Sequence, residues 1–224
     1  MKTFIRFAAA LVMAAAILHA AERFDMLVRA DFFSGFGGNK GALDRAMRIC
    51  EETLRENPKH AEALVWHGSG NVFLSGQAFR KGDTAGGGQL WAAGLNEMEE
   101  AVRLAPDNLA VVIPRGATLL VTSSRVPPDK GQALLEQGVS DYEHVRELQK
   151  PYFDILSGHA KGELLFGLAD GYNRLKKRAE AGEAFGALLA VGKASGHEKQ
   201  AQQWLAGGTY EKSAMQCTGC HTSK

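Results

Sequence analysis

The chain has 224 residues, 45% of them hydrophobic and 23% charged, with a formal net charge of +1. That length can bury a continuous core without disulfide staples, and near-neutrality leaves no global field to gather nucleic acid or an anionic membrane. The expected partners are proteins, not nucleic acid.

The first element is a leader. Met1-Lys2-Thr3-Phe4-Ile5-Arg6 is a short basic start, followed by an apolar run from Phe7 to Leu18 and the small residues Ala20 and Ala21. This is the layout of a secretory signal peptide. The apolar run falls well short of the roughly 20 residues a spanning helix needs, so a retained anchor, and with it membrane association, is the weaker reading. A transit peptide would want a polar face that the run lacks. Cleavage is expected after Ala20 or Ala21, although Leu18 or His19 at the third position back is not the small residue preferred there. The expected partition is a signal peptide over 1–20, a helical domain over 21–206 and a tail over 207–224, in a protein exported to a bacterial periplasm.

Beyond the leader, helical periodicity recurs and no run alternates with the period of a strand, so the fold is expected to be all-α. In chain order, a helix carries Ala46 and Cys50 and closes at Pro58; the next carries Leu64, Trp66 and Gly68; another carries Gly94, Met98, Ala101 and Leu104 and closes at Pro106. Proline ends helices through its missing donor and its clash with the preceding turn. Residues 82–88, Gly-Asp-Thr-Ala-Gly-Gly-Gly, read as an insertion between two helices. A further pair runs from Leu109 to Leu120 and from Lys130 to Leu148, with Pro114 interrupting the first and Pro151 closing the second. Next come Leu165, Leu168, Ala169 and Tyr172 on one helix and Ala181 and Phe185 on its successor. A last amphipathic stretch, Glu198 to Leu205, caps the series, and Gly207-Gly208 is expected to free the chain beyond it.

The spacing of Leu165, Leu168, Ala169, Tyr172, Ala181 and Phe185 resembles one unit of the tetratricopeptide repeat family. Small Ala169 and Ala181 would let two antiparallel helices approach, with Leu165, Tyr172 and Phe185 filling the space between. Earlier pairs match more loosely: Val139 and Glu143 stand where the repeat wants a small residue and a large apolar one. The resemblance covers roughly Ala30 to Leu205, about four helix pairs. It implies a short superhelical array of antiparallel helix pairs with a concave protein-docking face. It implies shape, and the chemistry lies elsewhere.

Three cysteines are present. Cys50 sits alone on a helical core position, where a small buried hydrophobe is the expected role. Cys217 and Cys220 flank two residues, with His221 immediately after. A disulfide across so short a gap closes almost no loop, so the pair asks for a chemical explanation. A redox dithiol would want strands and a helix start around it, and zinc would want a second ligand pair nearby; neither pattern is present. A plain surface disulfide is the bland alternative. Cys217-Thr218-Gly219-Cys220-His221 resembles the attachment motif of the c-type cytochromes. Two thiols at this spacing suit the two vinyl groups on one porphyrin edge, and the next residue falls beneath the iron. The resemblance implies one covalent haem c, thioether-linked through Cys217 and Cys220, with His221 as proximal ligand. The motif stands at the chain's far end, with only Thr222, Ser223 and Lys224 after it. A pocket is therefore expected to be built from preceding helices, from a partner or hardly at all, and a second axial ligand to come from upstream helices, a partner or water.

Among His60, His67, His144, His159 and His197, the last two lead as distal ligands because their helices lie nearest the tail in sequence. Met215 precedes Cys217 too closely to cross to the other haem face easily. Trp66, Trp91, Trp204 and Tyr172 read as packing residues, and Glu163 and Asp170 as surface charges on a helix. No nucleophile triad, phosphate loop or dedicated metal cage is evident. The expected function is a periplasmic electron relay, its repeats docking a redox partner protein or respiratory complex. The alternatives are a repeat scaffold with a sensing or structural haem, and a haem enzyme, for which no distal acid–base group is identified.

Overall fold

The computed structural model describes residues 23–211. The expected leader and the segment bearing Cys217, Cys220 and His221 lie outside the described residues. Within them the chain is all-α: α1 (Phe24–Phe36), α2 (Lys40–Glu56), α3 (Ala61–Arg80), α4 (Thr84–Leu104), α5 (Leu109–Ser123), α6 (Pro128–Gln149), α7 (Gly158–Arg174), α8 (Arg178–Val191) and α9 (Glu198–Gly207). Short 3-10 segments, Lys150–Ile155 and Gly192–Ser195, precede α7 and α9.

Local chemistry sets these boundaries. The side chains of Asn39, Asp83, Asn108 and Ser157 accept backbone N–H bonds in the first turns of α2, α4, α5 and α7. Each satisfies a donor that the helix start leaves orphaned. His60 does the same for α3, its Nδ1 accepting from the Ala63 N–H at 3.2 Å. Pro128 opens α6, where its missing N–H costs nothing.

Two features differ from the sequence-based expectation. Gly86, Gly87 and Gly88 belong to the first turns of α4, so the connection from α3 shrinks to Lys81, Gly82 and Asp83. Asp83 caps the new helix through the Gly86 N–H at 2.8 Å, and Gly82 takes φ +83°, which tightens the turn. A side chain at 87 would stand 2.7 Å from the Phe79 ring, so glycine is needed for packing rather than for a loop. Pro114 also fails to interrupt its helix, and α5 runs unbroken to Ser123. Its guanidinium neighbour Arg115 is buried and ties α5 to α6 by a two-pronged ion pair with Asp141, and to α4 through Glu99 at 2.8 Å. Those tertiary ties offset the hydrogen bond the proline forfeits.

Helices pack mainly as consecutive pairs: α1 with α2, α3 with α4, α5 with α6 and α7 with α8, with α9 laid on α8. Where pairs cross closely, side chains are small. Gly68 and Gly94 bring α3 against α4 so tightly that a Cβ on either would lie within 2.7 Å of the other's carbonyl oxygen. Ala169 and Ala181 are fully buried between α7 and α8, beside Leu165, Tyr172 and Phe185. Val139, bulky for its position, is accommodated because Gly171 opposite it has no side chain. The core forms two apolar clusters that meet on α5, Val111 and Leu119 facing one, Val112 and Leu120 the other.

Candidate functional site

Cys217-Thr218-Gly219-Cys220-His221 lies outside the described residues, and what the structure places is the surface from which the chain departs toward it. α9 ends in Gly208, whose φ of +73° is a left-handed cap available to glycine without strain. Its N–H donates to the Trp204 carbonyl at 2.6 Å, and the chain turns back across the last helix pair. Tyr210 then sets its ring edge-on against Phe166 and Phe185, at centroid distances of 5.7 and 5.6 Å. Its hydroxyl donates to Asp170. Asp170 is held in turn by Arg174, at 3.3 Å, and Arg174 donates to the Leu120 carbonyl on α5 at 2.8 Å. Burial, with the adjacent Asp170 carboxylate, pushes the Tyr210 phenol well above its ordinary pKa, so it remains a donor. The Glu211 N–H donates to Gln203 at 3.1 Å, and its carboxylate meets Lys199 at 3.2 Å. The expectation that Gly207-Gly208 frees the chain is thereby corrected: the glycine cap aims it at a seat on α7, α8 and α9.

The two leading distal histidines share a carboxylate but not an environment. Gly196, at φ +76°, carries the chain from the Gly192–Ser195 turn into α9 and inserts His197 beneath α7. Its ring lies flat on Phe166, 4.1 Å between centroids and 1° from parallel, and only 3% of the residue is exposed. Nε2 meets Glu163 Oε1 at 3.0 Å, while Nδ1 is buried without a hydrogen-bond partner. Neither nitrogen faces open space. His159, one turn before Glu163 on α7, keeps a half-exposed side chain with Nδ1 3.9 Å from the same Oε1. Of the pair, His159 has the imidazole accessible to an incoming group.

The other histidines have local work. His60 caps α3 and lies 5.0 Å from the Phe24 ring. His67 pairs with Glu97 at 2.8 Å and lines an open groove with Asp44, Glu51 and Asn71. His144 meets Asp107 at 2.9 Å on the surface. Cys50 is wholly buried and unpaired by any disulfide. Among the described residues no group of three or more His, Cys, Asp or Glu is arranged to hold a metal ion.

Glu163 and Asp170, expected as surface charges on a helix, both lie on α7. Both are partly buried, Asp170 under the Tyr210 hydroxyl and Glu163 beside two imidazoles. Sequence reasoning missed Tyr210 and Phe166 altogether. One signal was present: an aromatic placed just after a glycine that ends a helix is positioned to fold back on the helix's own neighbours. Comparison with protein-family models, with curated proteins and with solved structures finds no match to this chain.

Proposed function

We propose that the protein is a periplasmic c-type haem protein that relays electrons, with helix pairs stacked as a tetratricopeptide-like array that docks a redox partner protein or respiratory complex. The observation that carries this reading is Cys217-Thr218-Gly219-Cys220-His221 behind a leader of signal-peptide layout. Cys217 and Cys220 would hold one haem c by thioethers, and His221 would bind the iron. When bound, the haem supplies a reversible one-electron couple. The chain's remaining work is to hold that group, govern water access and offer a docking surface.

The repeat reading is supported by the small-against-large packing of Ala169 and Ala181 with Leu165, Tyr172 and Phe185 between α7 and α8. For the second axial position His159 is favoured over His197, because His197 would have to leave Phe166 and Glu163 to present a nitrogen. Breaking a buried hydrogen bond to a charged group costs about 1.5–3 kcal/mol. Optical redox titration of the isolated full chain tests the relay. The expected result is a reversible one-electron transition with a six-coordinate, low-spin spectrum that His159→Ala converts to high spin and His197→Ala does not. Five-coordinate, ligand-sensitive iron in the wild type would instead point to sensing or catalysis.

A further inference from the structure

We propose that Tyr210 is a positioning residue, fastening the root of the tail to α7 and α8 and so confining the haem to the α7–α9 end of the molecule; the confinement rests on the haem reading above, the fastening does not. Four independent contacts converge on two consecutive residues: the Tyr210 ring on Phe166 and Phe185, its hydroxyl on Asp170, the Glu211 N–H on Gln203 and the Glu211 carboxylate on Lys199. They join three helices, α7, α8 and α9, and Arg174 extends the set to α5. A linker that only tethered its cargo would need none of them.

The consequence is a matter of chain length. Cys217 follows Glu211 by six residues, a reach of about 20 Å when fully extended. With the seat empty the last fixed point is Gly208, nine residues away, and the reach grows to about 30 Å. The volume open to the haem then increases roughly threefold, and its effective concentration at any partner bound near α7–α9 falls by the same factor. In the stacked array proposed above, three steps of about 10 Å separate α7–α8 from α1–α2, farther than the seated tail reaches to Cys217.

The chain contains its own reporter. Trypsin takes the residues flanking its target bond in extended form, so cleavage after Lys212 requires Tyr210 and Glu211 to leave their seats. Where opening is fast relative to cleavage, the rate follows the open population. On the full chain, Tyr210→Ala is expected to speed cleavage after Lys212 at least tenfold. Tyr210→Phe, which keeps the ring in place but removes the hydroxyl bond to Asp170, should fall between that variant and wild type. Equal rates for wild type and Tyr210→Ala, both with an intact helical melt, would overturn the fastening. For the confinement, a nitroxide on Gln202→Cys reports its distance to the haem iron by pulsed electron paramagnetic resonance. A distribution that is narrow in wild type and broad in Tyr210→Ala is expected, and equally broad ones would overturn it. A chain that carries no haem sinks the parent reading, while the trypsin result still decides the fastening.

Discussion

Cys50 is sealed within the first apolar cluster, and burial, reinforced by Glu97 and Glu51, pushes its thiol far above the ordinary range. Since the thiolate is the reactive form, this side chain should be inert in the native state. In a Cys217→Ser/Cys220→Ser variant a water-soluble thiol reagent is expected to find no thiol until denaturant is added. Reaction within seconds of mixing would contradict the packing assigned to α2. Cys50's role was legible because an isolated cysteine on the apolar face of a helix has few alternatives. His197 was not legible in the same way: its burial depends on the Gly192–Ser195 turn and on Phe166, thirty-one positions earlier in the sequence, and nothing local announces either.

At the level of helices, glycine carries opposite meanings at neighbouring positions of α4. Gly94 lies at the α3 crossing, where a Cβ would stand 2.6 Å from the Gly68 carbonyl oxygen, whereas a Cβ at Gly88 would meet nothing within 4 Å. Gly94→Ala should therefore force the helices apart and destabilise by roughly 1–3 kcal/mol. Gly88→Ala should stabilise by about 0.5–1 kcal/mol, through lower entropy in the unfolded chain and better helix propensity. Urea melts of the two variants test the pair, and shifts of the same sign would contradict the assigned crossing. The helices carrying Gly94 and Leu165 could be read from sequence because spacing and residue size act within a single element. The start of α4 and the continuity of α5 could not, because Gly86-Gly87-Gly88 and Pro114 are breakers by propensity that tertiary contacts override. Phe79 needs the space at 87, and Arg115 staples the helix around the proline to Asp141 and Glu99.

The molecule as a whole divides its labour along the chain. Residues 23–211 build a helical body whose two apolar clusters, formed among the described residues, join through α5. The haem reading of Cys217-Thr218-Gly219-Cys220-His221 rests on the sequence alone, while the all-α class was legible because helical periodicity persists throughout. The union of the two was not: whether the tail hangs from the body or is seated on it turns on Tyr210, Asp170 and Phe166, drawn from separate elements. The most direct measurement of the central claim is denaturing electrophoresis of the full chain, produced in a host with the cytochrome c maturation apparatus and stained for haem. A haem-positive band at the mass of the leader-free chain, lost in Cys217→Ser/Cys220→Ser and kept in Cys50→Ala, is the predicted result. A folded, helical chain that leaves that host without covalent haem would contradict it.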